Sequence, residues 1–211
     1  MEDFELDTLL NGAEEQRTED WHALRLGRLT ASTFDKLMTS ESKPIEQAAT
    51  AMAVIVEAAV EYVTGIRKDF ENSATAHGTE LEPVAIAAYE KHQGVDVAGT
   101  GFIAKDKFGG SPDGLVEVDG IIEVKCPYNP VNHAMTVLTG QVPKQYRFQL
   151  QGNLWVTGRK WCDFISYSEE FPDKSKLKLI RVERDEEMID RLVKRLNEAE
   201  EVKQSLIQKL M

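Results

Sequence analysis

Two cysteines, Cys126 and Cys162, are all that the 211 residues contain. Two thiols fall short of a four-thiolate zinc or iron–sulfur centre. A reducing cytosol argues against a bridge between them, so both are expected as buried free thiols. Long apolar runs are missing too. The most apolar region, Ala48–Val63, is interrupted by Glu57 and Glu61, which excludes a membrane-spanning helix. Met1–Leu10 is acidic and lacks the basic start and apolar run of a secretion signal, so a cytoplasmic protein is the default expectation. Positive charge is scarce: 25 Lys and Arg stand against 36 Asp and Glu, for a net charge of −11. That counts against a protein that coats DNA broadly, because such affinity comes from cations neutralising phosphates. A locally basic cleft inside an acidic exterior remains open, since the acid is concentrated in Met1–Asp20 and Glu183–Glu201. No repeat, low-complexity tract or Pro/Gly/Ser linker divides the chain, so residues 1–211 read as one domain. Residues 1–16 form an acidic N-terminal arm, and residues 185–211 a C-terminal helix.

What is present follows helical and strand spacing in turn. Glu19–Leu26 predicts a helix with Thr18 as its N-cap. Thr30–Met38 predicts another, capped by Thr30 or Ser32, with Phe34, Leu37 and Met38 as its apolar stripe. Pro44–Thr64 reads as one long helix ended by Gly65. Leu81–His92 reads as a helix with Pro83 in its first turn and Gly94 beyond its end. Val95–Lys105 alternates as extended chain. Gly114–Val118 and Ile121–Lys125 are short β-branched runs joined by Asp119-Gly120, a strong hairpin signal. Pro143–Thr157 returns to helix, Cys162–Tyr167 and Leu177–Val182 to strand, and Glu186–Lys209 is a charged amphipathic helix. Its apolar residues Met188, Ile189, Leu192 and Leu196 are expected to pack on the domain. Asn129-Pro130 and Gly140 suggest mobile loops within Pro127–Gln141. Central strands with helices on both sides indicate an α/β (α+β) sandwich.

The chemistry gathers at Ser111-Pro112-Asp113-Gly114 and Ile122-Glu123-Val124-Lys125-Cys126-Pro127. A tight hairpin brings Asp113 at the start of one strand close to Glu123 on the other, within reach of one cation. Alternation puts Glu123 and Lys125 on one face and Val124 on the other. Two carboxylates and a backbone carbonyl are hard oxygen ligands suited to Mg²⁺ or Mn²⁺. A lysine beside them can hold an attacking water and stabilise charge developing on a phosphate. Taken singly, these residues would pass as turn residues and a surface ion pair; the whole set is poorly explained by solvation.

Pro112-Asp113 followed by Glu123-Val124-Lys125 resembles the PD-(D/E)XK nuclease signature. The context narrows the resemblance to the lambda-exonuclease (viral recombinase, YqaJ-like) family. Trp21-His22-Ala23-Leu24-Arg25-Leu26-Gly27-Arg28-Leu29-Thr30-Ala31-Ser32 is similar to that family's N-terminal motif. Gly78-Thr79-Glu80-Leu81-Glu82-Pro83 resembles its helix before the core sheet. Gln149-Leu150-Gln151, followed by Leu154-Trp155-Val156-Thr157, resembles the helix after it. The resemblance implies a single nuclease domain with a restriction-endonuclease-like core, a central mixed β-sheet flanked by helices. It implies that Asp113, Glu123 and the Val124 carbonyl hold a catalytic Mg²⁺, replaceable by Mn²⁺. Glu82 would help with a second Mg²⁺, and Lys125 would orient the nucleophilic water. Arg25, Ser32, Ser111 and Gln149 would bind the 5′ phosphate end, with Gln151 and Tyr146 as weaker candidates. It further implies 5′-to-3′ digestion of double-stranded DNA ends to 5′-mononucleotides, leaving 3′ overhangs for phage-type recombination. A homotrimeric ring, a single-strand annealing protein as partner, and a phage or prophage origin in a bacterial cytoplasm complete the expectation.

Alternatives stand beside several of these readings. Glu80 competes with Glu82, and the two point to nearly opposite sides of a helix. Arg25 could be a solvated charge and Ser32 only a helix cap. His22, His77, His92 and His133 show no metal-ligand spacing and read as structural or surface residues. Trp21, Trp155 and Trp161 read as core. Lys144, Arg147, Arg159 and Lys160 are candidates for contacts to a DNA backbone. A PD-(D/E)XK endonuclease, or a non-catalytic subunit that binds DNA ends, would keep much of the same sequence, and a plain cation-binding protein would gain nothing from Lys125.

Overall fold

The computed structural model describes residues 18–67 and 73–211; the acidic arm expected over residues 1–16 lies outside them. Helix α1 spans Glu19–Arg25, strand β1 Leu29–Thr30, α2 Ala31–Leu37 and α3 Ala49–Thr64. The long α4, Ser73–Gln93, leads into β2 Val97–Ala98, β3 Ile103–Lys105, β4 Phe108–Gly110, β5 Gly114–Val116 and β6 Gly120–Lys125. Then come α5 Pro130–Thr139, α6 Arg147–Thr157, β7 Trp161–Tyr167, β8 Leu177–Glu183 and the terminal α7 Glu186–Leu210.

β6 organises the molecule. It is the middle strand of a mixed five-stranded sheet ordered β2-β5-β6-β7-β8, antiparallel to β5 and parallel to β7. Its side chains alternate between two layers. Ile122 and Val124 pack with Ala85 and Tyr89 of α4 on one face. Ile121 packs with Leu150 and Leu154 of α6, and with Phe164, on the other. Each such fully buried aliphatic side chain contributes about 1.5–3 kcal/mol. A smaller sheet, β1-β4-β3, lies beside a helical core in which Phe34, Leu37 and Ile55 meet Leu192 and Leu196 of α7. The expected packing of the C-terminal helix on the domain is therefore present. So is the α/β architecture of mixed sheets flanked by helices. Both cysteines are free and buried. Among the described residues no helix is long and apolar enough to cross a membrane.

Several boundaries differ from the sequence reading, each for a local reason. The long helix expected from Pro44 breaks at Ala48, whose extended backbone separates a single 3-10 turn, Ile45–Gln47, from α3. Helix α4 begins at Ser73, so Pro83 lies inside it rather than in its first turn. The ring forfeits one backbone hydrogen bond, but Ala85 and Tyr89, buried on the sheet just beyond it, carry the helix through. Asn129-Pro130 and Gly140 are helix caps rather than loop markers. Asn129 Oδ1 accepts from the Val131 N–H at 3.0 Å, and Gly140 takes the left-handed conformation that ends α5.

The hairpin also turns differently. Val116 pairs with Gly120, so the connection is Glu117–Asp119, with Glu117 at φ 48°, and Gly120 already belongs to β6. Gly120 is required there by contact: a Cβ would fall 2.0 Å from the Trp161 ring. Arg159 holds this turn by donating to the carbonyls of Val116, Glu117 and Gly120. That use removes Arg159 from the candidates for DNA contact, and Lys160 pairs with Asp119 at 2.9 Å on the same turn.

Candidate active site

The hairpin places Asp113 one residue before β5, where its N–H donates to the Ile122 carbonyl at 3.1 Å. Its Oδ2 accepts from the Val124 N–H at 2.6 Å. The N–H and C=O of one strand residue face the same edge, so the Val124 carbonyl opens on the side where β5 has ended. Glu123 and Lys125 project together from the face covered by α6, and Lys125 Nζ donates to Glu123 Oε1 at 2.5 Å. Glu123 is 1% exposed. Glu82, on α4, lines one cavity of ≈ 670 Å³ with Asp113, Val124, Lys125, Tyr128 and Tyr146. Glu80 is exposed and outside that lining, so Glu82 is the one facing the site.

Electrostatics follow from this crowding. Burial, followed by the neighbouring Glu123 and Glu82 carboxylates, raises the Asp113 carboxyl well above the usual range. Burial alone would lower Lys125, but Glu123 and Asp113 outweigh it and hold the ammonium above its ordinary value. Such concentrated, poorly solvated negative charge suits a divalent cation. Among the described residues no three His, Cys, Asp or Glu side chains converge into a ready-made cage. The donor set instead fits Mg²⁺ as it is commonly held, by one or two carboxylates with waters and substrate phosphate completing the shell. Asp113, Glu123 and the Val124 carbonyl would supply those oxygens, with Glu82 at the edge.

The residues expected at a 5′ phosphate fall into two groups and one exception. Arg25 is buried rather than solvated, stacked 4.1 Å over the Trp21 ring. Its NH1 donates to Ser111 Oγ at 3.4 Å, which also accepts from Trp21 Nε1 at 3.1 Å. Trp21 thus orients an arginine against Ser111, which stands two residues of chain before Asp113. Ser32 makes no capping bond; it is exposed, and it shares a second cavity with Gln149, Tyr146, Lys36, Lys144 and Arg147. Tyr146 lines both cavities and lies 5.2 Å beneath Lys125 Nζ. Gln149 Nε2 donates to Glu123 Oε1 at 2.5 Å, a contact with the carboxylate rather than with an open phosphate pocket. Gln151 is the exception. It is buried, its Nε2 donates to the Glu183 carbonyl at 2.9 Å, and its Oε1 accepts from the Asp185 N–H at 2.9 Å. With both ends of its amide used to join β8 to α7, it does not face the site, and its expected DNA contact is withdrawn. Among the histidines, His133 is fully buried between Ser166 and the Ser175 carbonyl, a structural residue.

Two functional neighbours escaped the sequence reading. Asn153 Nδ2 donates to Glu123 Oε2 at 3.0 Å; its spacing of four from Gln149, one helical turn, was the available signal. Asp35 gave none. Its carboxylate accepts from the Phe148 and Gln149 N–H groups at 3.2 and 2.9 Å, capping α6 from across the molecule. Burial above all, with a smaller push from Glu123, raises its pKa to about 6 against the opposing hydrogen bonds. A folded-state pKa raised in this way stabilises at low pH, and the contribution is lost as pH climbs from about 4 through about 6. The melting temperature of wild type minus that of D35N is therefore expected to shrink between pH 4 and pH 7. A difference that stays flat across that range would contradict the assignment.

A family model for the YqaJ-like viral recombinase domain matches residues 20–160. That span contains Arg25, Glu82, Asp113, Glu123, Lys125, Gln149 and Asn153. No curated protein matches the chain. Among solved structures, an alkaline exonuclease (LHK-Exo) from Laribacter hongkongensis is 37% identical, with a TM-score of 0.84 over 92% of this chain and 96% of that one. The same protein in complex with dAMP gives equal values. A phage related exonuclease from Haemophilus somnus 129PT, 20% identical with a TM-score of 0.73, covers 87% of this chain and 96% of its own and shares the fold. From the matched span and the identity to LHK-Exo, the chain belongs to the YqaJ-like viral recombinase family.

Proposed function

We propose that the chain is a Mg²⁺-dependent exonuclease that degrades one strand of linear double-stranded DNA from 5′ to 3′. It would release 5′-mononucleotides and leave 3′ overhangs for recombination by strand annealing. The observation that carries this reading is the convergence of Asp113, the Val124 peptide and Lys125 on one cavity shared with Glu82, with Glu123 buried behind it and bonded to Lys125. Family membership and the similarity to an alkaline exonuclease support it.

The residues divide the work. Asp113, Glu123 and the Val124 carbonyl would hold Mg²⁺, with Glu82 contributing to a second ion and Mn²⁺ able to substitute. When bound, such an ion polarises the scissile phosphate and lowers the pKa of a water. Lys125 donates hydrogen bonds to the attacking water and faces the charge that builds on the phosphate. Arg25 offers a flat, bidentate fork for the terminal 5′ phosphate, with Ser111 beside it. Lys36, Lys144 and Arg147, around the cavity of Ser32 and Gln149, give the strand a basic path in an otherwise acidic protein. A homotrimeric ring, a single-strand annealing partner and a phage-related role in a bacterial cytoplasm belong to the same proposal.

A time course with Mg²⁺ on linear duplex, labelled separately at the 5′ and 3′ ends, tests it. The 5′ label is expected to leave first as mononucleotide, faster from a 5′-phosphorylated end, while closed circular duplex stays intact. Cutting of the closed circle would make the protein an endonuclease. End binding without any release of nucleotide under Mg²⁺ or Mn²⁺ would make it a non-catalytic subunit.

A further inference from the structure

Lys125 and Gln149 both reach Oε1 of Glu123, and its other oxygen is held from inside the protein. Asn153 is completely buried, and its Nδ2 donates to Oε2 at 3.0 Å. A carboxylate only accepts, so the amide has to turn its NH₂ toward Glu123. Oδ1 then faces the other way, where it is enclosed and accepts no hydrogen bond. An unpaired buried acceptor is costly, and a leucine of similar size would carry no such cost. Packing therefore does not explain an asparagine here; the donor it presents to Glu123 does. Gly110 of β4 makes the arrangement possible, because a Cβ at that position would lie 2.3 Å from Asn153 Oδ1.

We infer that Asn153 is a positioning residue for the cation site, fixing the plane of the Glu123 carboxylate from its buried side, with Gly110 as the space that admits it. The inference rests on the nuclease reading in taking Glu123 as a cation ligand. Groups that orient a ligand in this way are worth about 10- to 100-fold in metal affinity.

The test is Mn²⁺ binding to the full chain without DNA, by calorimetry or electron paramagnetic resonance, alongside thermal melts and the cleavage assay. N153L removes the donor at similar volume. N153D keeps the shape but sets oxygen against oxygen. G110A leaves Asn153 in place and crowds its Oδ1. All three are expected to weaken Mn²⁺ binding about 10- to 100-fold, with N153L and G110A cleavage partly restored by raising the Mn²⁺ concentration. Should N153L fold poorly, the melt will show it and G110A decides. Wild-type Mn²⁺ affinity in folded N153L or G110A, with wild type itself binding Mn²⁺ and digesting DNA, would overturn this inference and leave the nuclease reading intact. A wild-type protein that neither binds Mn²⁺ nor digests DNA would overturn both.

Discussion

Lys125→Ala is expected to slow DNA digestion by about a thousandfold or more, because a positioned proton donor and a charge-stabilising group each supply about 10²–10⁴ and 10²–10³. The geometry allows nothing else to take over. Arg25 stands over Trp21 beside Ser111, at the place proposed for the terminal 5′ phosphate, and Arg159 is held at the hairpin turn. Lys125 pairs with the Glu123 carboxylate from the cavity side, with a side chain 25% exposed against 2% for its partner. Removing the ammonium leaves Glu123 its bonds from Gln149 and Asn153, so the fold around the site should persist. The measurement is single-turnover cleavage of an end-labelled duplex with Mg²⁺, paired with fluorescence anisotropy of DNA-end binding in Ca²⁺. Cleavage by K125A within tenfold of wild type would deny the lysine its role. Loss of end binding together with cleavage would shift that role to recognition.

The second large effect concerns stability and lies far from the carboxylates. Lys203 of α7 is buried; its Nζ donates to the Gly27 carbonyl at 2.8 Å and pairs with buried Glu200 at 2.8 Å. Gly27 also gives its N–H to Glu61 Oε2 at 3.1 Å, so one peptide turn is gripped from both ends. Its φ of +68° and a would-be Cβ contact of 2.9 Å with Tyr62 explain the glycine. Breaking a buried pair by removing one partner costs about 3–5 kcal/mol, since the other charge stays behind without compensation. K203M is therefore expected to lower the melting temperature by roughly 6–20 °C, at about 2–4 °C per kcal/mol for a domain of this size. Replacing both charges, in K203M/E200L, should recover most of the loss. A K203M melt within about 2 °C of wild type would show that the pair contributes little. Because Gly27 follows Arg25 by two residues, K203M should also blunt any preference for a 5′ phosphate.

What the sequence disclosed and what it hid divide by distance along the chain. Asp113 and Glu123 are ten residues apart on one hairpin, and strand alternation alone puts Glu123 and Lys125 on one face. Helical geometry lets at most one of Glu80 and Glu82 face the site, and the resemblance of the Gly78 motif pointed to Glu82. Hidden were contacts between distant segments: Asp35 with the α6 N-terminus across 114 positions, and Lys203 with Gly27 across 176. No local pattern encodes such pairs. Gln151 misled because it adjoins Gln149 in a glutamine-rich stretch, yet two positions along a helix turn the amide toward the opposite side. The hairpin turn misled because Asp119-Gly120 is a strong local signal, overridden by Arg159 reaching three carbonyls from beyond α6. The caps of α5 were visible as residues but read as loop, since Asn, Pro and Gly serve both purposes.

The two buried thiols have a practical side. Cys126 is pushed up to about 12 by burial, then by the carboxylates of Glu82 and Asp113, and burial drives Cys162 well upward too. At neutral pH very little of Cys126 is in the reactive thiolate form. Maleimide and iodoacetamide dyes would therefore pass over both native sulfurs. A single cysteine introduced on the exposed surface could carry a fluorophore to test whether the protein moves along a strand, with Cys126 and Cys162 left in the core they fill.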